Sequence, residues 1–214
     1  MPIIDIVNYI QQFPVKEFKR GELLLQKDDP GIHLMAIREG FIKVTSISSA
    51  GIERLLWIAG RYDIAPTEQL FSKRSKVRFF YTALTDGFYY EVDKKEFLTI
   101  ADKEPAVMSE IAKNMSLHYD DFLQRIDAVD SATVKERIMR TLCYLAERLD
   151  ASSIVDLYSY GLRLSHKELS EMIGSSRETT SLMLAELRKD QLIEYNRQKL
   201  AVYVDKIKIE LGDE

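Results

Sequence analysis

The stretch GSSRETTSLMLAEL, residues 174–187, opens a predicted helix with side chains that could contact nucleic acid. Ser175 is followed three residues later by Glu178, a capping-box pattern that places Arg177, Glu178 and Ser181 on one face near the helix start. Arginine can donate two parallel hydrogen bonds to guanine, and a carboxylate can accept one from the cytosine amino group. The pattern predicts a helix that reads base edges, with one alternative: Glu178 is only a cap and Arg177 only a solvated side chain.

A second helix start lies just upstream of this stretch. Ser165 and Glu168 form another capping-box pattern, and Gly174 occupies the position at which helices commonly end. Two short helices joined by so tight a turn predict a helix-turn-helix. Its second helix would turn an apolar face toward the core, made of Met183, Leu184 and Leu187.

The segment LIEYNRQKLAVYV follows and predicts a β-hairpin. Its strands would run from Ile193 to Tyr195 and from Lys199 to Val204, around Asn196 and Arg197. Such a hairpin would form a wing beside the helix-turn-helix.

The segment DSATVKERIMRTLCYLAERLD predicts the helix that begins this separate unit. Thr133 and Glu136 form a capping-box pattern. One apolar stripe follows, at Ile138, Leu142, Leu145 and Leu149, and it predicts burial on one side, with Cys143 as a small buried residue. The boundary of the unit is predicted between Asp127 and Thr133.

A long helix is predicted immediately before that boundary. From Ala101 to Ala132 the only glycine or proline is Pro105, which suits the first turn of a helix. Apolar residues recur at alternating steps of four and three, at Met108, Ala112, Met115, Tyr119, Phe122, Ile126 and Val129. This heptad spacing predicts packing against a second copy of the chain. A second row widens the apolar surface and predicts packing against its own β domain as well; it consists of Val107, Ile111, Met115, Phe122 and Leu123. The alternative is a single long core helix.

Glycines punctuate the first part of the chain at positions 21, 31, 40, 51 and 60. The segments between them are short and rich in β-branched, aromatic and leucine residues, which is typical of an antiparallel sandwich or barrel. Residues 18 to 93 are therefore predicted to be mostly β-structure.

Composition excludes several classes of protein. The 214 residues fit two domains, and the 46% hydrophobic and 30% charged residues are ordinary for a soluble globular protein. No apolar run approaches the roughly 20 residues that cross a membrane, and the N-terminus lacks the pattern of a secretory signal. The chain is predicted to be cytoplasmic, without a membrane partner. Its net charge of -4 argues against a protein that coats nucleic acid, but a local basic face stays possible.

Few residues could ligate a metal. One cysteine excludes disulfide frameworks and four-thiolate sites within one chain, and His33, His118 and His166 are scattered without nearby ligand spacing. No catalytic triad, glycine-rich phosphate loop or paired carboxylate stands at a plausible site. The sequence therefore predicts neither a metal, nor a cofactor, nor an enzyme.

The run IGSSRETTSLMLAELRKDQLIEY resembles the DNA-binding signature of the CRP/FNR family of bacterial transcription regulators, and the order of the preceding segments is similar to that family. The resemblance implies an α+β protein with a β-roll (double-stranded jelly roll) effector domain in residues 1–100, a dimerisation helix in 101–130 and a winged helix-turn-helix in 131–214. It also implies a homodimer that binds double-stranded DNA at palindromic operators and contacts RNA polymerase.

The resemblance carries over to particular residues. Arg177 and Glu178 match the base-reading pair and Thr179 a phosphate-contacting position, whereas Leu182 stands where many members have a second arginine. Leucine can contact a thymine methyl but cannot hydrogen-bond guanine, so the expected operator differs from that of the best-known family members. The remaining candidate DNA contacts are Ser176, Ser181, Lys167, Arg197 and Lys199; the last three are candidate phosphate contacts that would each suit plain surface as well.

The effector is less well defined. Members that bind cyclic nucleotides use a Gly-Glu-Leu turn and an Arg-Ser pair. Here the corresponding turn is DIAPTEQL, although Arg74-Ser75 is present. Phe122 and Leu123 align with the positions that hydrogen-bond the base, and neither side chain can form a hydrogen bond. A small organic effector other than cAMP is therefore expected. The candidate effector-binding residues are Arg74, Ser75, Trp57, Phe79, Tyr81, Phe122 and Leu123, and LLWIAG resembles chlorophenol-responsive activators.

Other interpretations remain open at this stage. The chain could be a cyclic-nucleotide-responsive or ligand-independent member of the same family. It could also be a β-roll sensor module that acts through protein contacts. A histidine that binds haem, His33 or His118, is the weaker interpretation because a lone histidine is more often structural.

Overall fold

The computed structural model describes residues 9–73, 75–149, 152–154, 157–159, 162, 164–195 and 200–213. The chain divides into two compact units, Met1–His118 and Tyr119–Glu214. No helix among the described residues has both the length and the apolar character that a membrane crossing requires.

The first unit is built on two four-stranded antiparallel sheets. Its strands are β1 Val15–Phe18, β2 Leu23–Leu25, β3 His33–Glu39, β4 Ile42–Ile47, β5 Glu53–Ala59, β6 Ile64–Ala65, β7 Phe80–Ala83 and β8 Gly87–Asp93, with a short 3-10 helix at Thr67–Gln69. One sheet has the order β1-β8-β3-β6 and the other β2-β7-β4-β5. The predicted β-roll is confirmed.

Alternation along β3 explains how this unit is layered. Side chains of a strand point to opposite faces in turn. Leu34 and Ala36 join a core that includes residues of the following helices, whereas Met35 and Ile37 join a core with Val44 on the other sheet. One strand therefore supplies both apolar layers.

Two helices follow the strands, α1 Lys94–Lys103 and α2 Pro105–Asp130. The long helix starts at Pro105 and not at Ala101, which corrects the expected boundary. Glu104 is extended at φ -119° and ψ 95°, as expected because a following proline disfavours the helical conformation of the residue before it. Val107 and Ile111 of α2 are buried in the core of the first unit, as the second apolar row predicts. The other members of that row, Met115, Phe122 and Leu123, are exposed, so the prediction was wrong for them.

The second unit contains the C-terminal half of α2 and the remaining elements. These are α3 Val134–Arg148, β9 Ser152–Ile154, β10 Leu157–Ser159, α4 His166–Ile173, α5 Arg177–Lys189, β11 Ile193–Tyr195, β12 Leu200–Tyr203 and α6 Val204–Leu211. Thr133 and Glu136 form the predicted capping box of α3. The predicted stripe of α3 is buried throughout, and Cys143 is buried as expected.

Candidate nucleic-acid interface

Helix α4 begins and ends as its sequence predicts. The Ser165 side chain accepts a hydrogen bond from the Glu168 amide at 3.2 Å, and the Glu168 carboxylate accepts one from the Ser165 amide at 2.6 Å. At the other end, Gly174 adopts the left-handed conformation with φ 68°, which glycine adopts without steric cost. The two devices fix the length of α4 and the start of the turn.

Helix α5 is capped by Ser176 and not by Ser175, so that prediction was wrong. The Ser176 hydroxyl accepts from the Thr179 amide at 3.0 Å. Ser175 still belongs to the end of α4, because its amide donates to the Ser170 carbonyl at 3.1 Å. The shift places Thr179, and not Glu178, at the third helical position, so Glu178 is no capping-box partner and its exposed side chain can serve another purpose.

One face of α5 is exposed and the opposite face is buried. Thr180, Leu184 and Leu187 are buried, and Met183 is half-buried. At about 100° per residue, Glu178, Leu182 and Ala185 lie on the opposite side, and all three are exposed. Leu182 is 68% exposed, so its side chain is accessible to a partner.

Arg177 occupies the first position of α5 and is exposed. The N-terminal residues of a recognition helix are those that reach base edges in the major groove. Arg177, Glu178 and Leu182 are thus all exposed within the first two turns of one helix.

The Ser181 hydroxyl is engaged inside the protein. It donates to the Arg177 carbonyl at 2.8 Å and lies 2.6 Å from Nδ1 of His166, the first residue of α4. Because a hydroxyl has one proton, the His166 ring donates to Ser181 through Nδ1. His166 could not be predicted as a neighbour of α5, since no local motif links two residues on different helices.

Basic side chains around α5 differ in their surroundings. Lys167 is exposed and lies 3.4 Å from Glu171. Lys135 of α3 contacts Glu186 and Asp190 at 2.9 Å each, and these hydrogen bonds raise the pKa of Lys135. Lys135 therefore ties the C-terminal end of α5 to α3.

The predicted wing is present as the pair β11 and β12. Ile193 pairs with Val202 and Tyr195 with Leu200 in antiparallel register. Helix α6 begins at Val204, so the second strand ends one residue earlier than expected. The wing tip, with Arg197 and Lys199, lies outside the described residues.

The apolar seam of α2 is solvent-facing within a single chain. We use this name for Met108, Ala112, Met115, Tyr119, Phe122, Ile126 and Val129. All of them are exposed except Met108, which is half-buried. Tyr119 is 62% and Phe122 60% exposed.

In the first unit, Trp57 and Tyr81 lie on one face of a sheet. Val44 pairs with both of them across the strands, so all three side chains point to the same side. Tyr81 donates to the two Glu68 oxygens at 3.2 and 3.3 Å. Burial raises the pKa of Glu68, and burial together with the Glu68 carboxyl raises the pKa of Tyr81 well above its ordinary value.

The other candidate effector residues are scattered. Phe79 is half-buried, while Ser75 is exposed and its carbonyl accepts from the Gly31 amide at 2.9 Å. Phe122 and Leu123 are exposed in the second unit, and Arg74 lies outside the described residues. Across the part of the chain that the structure describes, no group of three or more His, Cys, Asp and Glu side chains could hold a metal ion.

Two family models match the chain, one over each half of the architecture. The cyclic nucleotide-binding domain matches residues 15–104, and the Crp-like helix-turn-helix domain matches residues 136–207. The two matches appear in the same order as the β-roll and the α4–α5 helix-turn-helix. The chain belongs to the CRP/FNR family.

Similar proteins agree with this assignment along nearly the whole chain. The cAMP-activated global transcriptional regulator CRP of Haemophilus influenzae is 20% identical over 91% of this chain and 84% of its own length. FixK2 from Bradyrhizobium japonicum has a TM-score of 0.78 at 14% identity, covering 92% of this chain and 96% of that one. The c-di-GMP responsive regulator CLP of Xanthomonas campestris has a TM-score of 0.76 at 20% identity, covering 94% and 99%. The chain is a DNA-binding transcription regulator of the CRP/FNR type and not an enzyme.

Proposed function

We propose that this regulator works as a homodimer on palindromic operators and responds to a small organic effector other than cAMP. The observation that carries the dimer is the exposure of the apolar seam along α2. Burying a side chain of this size contributes roughly 1.5–3 kcal/mol, and a seam with heptad spacing is completed by an identical helix. A second copy of α2 is the partner that fits.

A two-fold dimer presents two copies of α5 to DNA. Their separation must approach one helical turn, about 34 Å, for both to enter the major groove at successive half-sites. A palindromic operator has the matching symmetry.

Within each half-site, Arg177 and Glu178 are the proposed base readers. Arg177 would bond guanine, Glu178 would accept from a base amino group, and Leu182 would contact a thymine methyl. Phosphate contacts would come from the cap and the flanking residues, namely Ser176, Thr179, Lys167, Arg197 and Lys199. The Ser181 hydroxyl is engaged by the Arg177 carbonyl and His166, so Ser181 is not proposed as a DNA contact.

The effector proposal rests on the first unit. In the turn DIAPTEQL, Glu68 bonds Tyr81 next to the aromatic face that includes Trp57. An ionised carboxyl repels a phosphate, whereas the aromatic face suits an apolar or aromatic compound. Among similar proteins, one is cAMP-activated and another is c-di-GMP responsive, so effector identity differs within this fold.

Helix α2 is the proposed route from the effector to DNA. His118 of α2 stacks edge-on against Trp57 with ring centroids 4.8 Å apart, and its Nε2 lies 3.4 Å from Asp63 Oδ1. An effector that moves Trp57 would therefore act on α2 directly, and it can shift the packing of paired helices only by binding one arrangement more tightly. RNA polymerase contact and a cytoplasmic location complete the proposal.

The dimer is tested with Phe122→Glu, with Gln124→Glu as the matched control, because Gln124 is exposed but lies off the seam. Two carboxylates buried between the paired α2 helices should give a monomer in sedimentation. Binding to a selected operator should weaken by about 100-fold or more, since the two copies of α5 are no longer linked. The control should bind as the parent does. A monomeric parent chain, or a Phe122→Glu dimer with full affinity, would refute the homodimer.

The effector class is tested by titrating operator binding with cAMP and with neutral aromatic probe compounds such as chlorinated phenylacetamides. No change is expected with cAMP, and tighter binding is expected with an aromatic probe. Tighter operator binding in the presence of cAMP alone would refute the proposed class.

A further inference from the structure

Helix α2 carries a buried arginine, Arg125, in the same helical turn as the seam residues Phe122 and Ile126. Arg125 is 7% exposed, and burial lowers the pKa of its guanidinium. Taking a charged group out of water is unfavourable unless hydrogen bonds replace those to water. The partners of Arg125 are therefore informative about its purpose.

Arg125 reaches two other helices of the second unit. Its Nη2 donates to the Met172 carbonyl of α4 at 2.7 Å, and its Nη1 donates to Thr141 Oγ1 of α3 at 3.3 Å. The guanidinium carbon also lies 5.8 Å from the centre of the Tyr144 ring of α3. One side chain thus joins α2, α3 and α4.

The Met172 carbonyl is well placed to accept a bond from a cation. It belongs to the last turn of α4, where carbonyls have no partner within the helix and favour a positive charge. Gly174 and the Ser176 cap follow within four residues, so the bond from Arg125 to Met172 lies immediately before the turn that leads into α5.

The same face of α2 packs on α3 one turn away. Asp121 forms an ion pair with Arg148 of α3 at 2.9 Å, and Ala128 is buried. Phe122 and Ile126 of the seam point to the adjacent side of α2 and are exposed. Neighbouring faces of one helical segment therefore serve the seam and the DNA-reading unit.

The structure assigns Arg125 as a positioning residue that fixes the α4–α5 turn, and with it the recognition helix, to α2. Arg177, Glu178 and Leu182 then read DNA in an orientation that α2 sets through this bond. The inference uses the DNA-reading role of α5 and depends on neither the proposed dimer nor the proposed effector.

The test is the substitution Arg125→Met, which keeps a long side chain at this position and removes every hydrogen-bond donor of the guanidinium. Arg148→Met is the matched control, because it also removes a guanidinium between α2 and α3 but leaves the end of α4 alone. Spin labels on cysteines at the exposed positions Gln124 and Lys189, in a Cys143→Ala background and diluted with unlabelled chain, report the distance from α2 to α5 within one chain. Binding to a selected operator and to random DNA is measured in parallel.

Arg125→Met should broaden the distance distribution and lower the ratio of operator to random-DNA affinity by about tenfold or more, because hydrogen bonds to a charged group are strong. Arg148→Met should leave the distribution narrow and the ratio within about threefold, even if its thermal stability falls. A folded Arg125→Met protein with an unchanged distribution or an unchanged ratio would overturn the assignment.

Should Arg125→Met fail to fold, Arg125→Lys carries the same test. Lysine lacks the planar fork through which Arg125 bonds Thr141 and Met172 with two separate nitrogens, so a broadened distribution and a lowered ratio are again expected. An unchanged distribution would overturn the assignment. Sedimentation of each variant keeps this outcome separate from failure of the homodimer.

Discussion

On helix α5, Arg177, Glu178 and Leu182 are exposed to solvent, whereas in the first unit the buried Tyr81 bonds the half-buried Glu68. The first set is held on a helix capped by Ser176 and is ready to meet an external partner. The second set has its hydrogen-bonding capacity directed inward. The exposed side chains of α5 indicate directly that the partner is DNA. Glu68 and Tyr81 bond each other, so they indicate the chemistry of the effector less directly.

The Ser176 cap holds the exposed start of α5 in place. Ser176→Ala should destabilise the protein by about 1 kcal/mol, because the hydroxyl that accepts from the Thr179 amide is lost. Ser175→Ala should change the free energy of unfolding little, since Ser175 acts through its main-chain amide. Urea unfolding of the two variants gives the ranking. Greater destabilisation by Ser175→Ala would restore Ser175 as the cap.

A smaller effect is expected in the interior of the first unit. The folded pKa of Glu68 is raised by burial, so the folded state holds its proton more tightly than the unfolded chain does. Stability should therefore fall as pH rises from the ordinary glutamate pKa through the raised one. Glu68→Gln removes this loss and can still accept from Tyr81.

The Glu68→Gln variant should melt at a higher temperature than the parent at neutral pH, and the difference should disappear below the ordinary glutamate pKa. Thermal unfolding followed across pH measures both. A Glu68→Gln protein that is less stable at neutral pH would show that the ionised carboxyl stabilises the fold, and would break the contrast with α5.

Local sequence patterns predicted the second unit well. Capping boxes at Thr133 and Ser165 and the left-handed Gly174 depend on neighbours within a few residues, and the structure confirms all three. The cap of α5 was missed by one position because the end of α4 uses the Ser175 amide. Two adjacent serines look alike in the sequence, and only the three-dimensional closure of α4 distinguishes them.

Contacts between distant residues could not be predicted. Arg125 bonds a carbonyl 47 residues away, and His166 meets Ser181 across 15 residues. The heptad spacing predicted a role for Phe122 and Ile126, on either side of Arg125, but none for Arg125 itself. Apolar repeats are visible in a sequence, whereas a main-chain carbonyl that will accept a hydrogen bond is not. The glycine spacing similarly indicated strands but not their division into two sheets.

The most direct test of the DNA-reading surface is Arg177→Ala compared with Arg188→Ala, an exposed arginine in the last turn of the same helix. The quantity measured is the ratio of affinities for a selected operator and for random DNA at fixed salt. Arg177→Ala should lower this ratio by about 30-fold or more, because each of two half-sites loses a contact worth roughly 1–3 kcal/mol. Arg188→Ala should leave it nearly unchanged. Full sequence preference in the Arg177→Ala protein would contradict the reading role of α5.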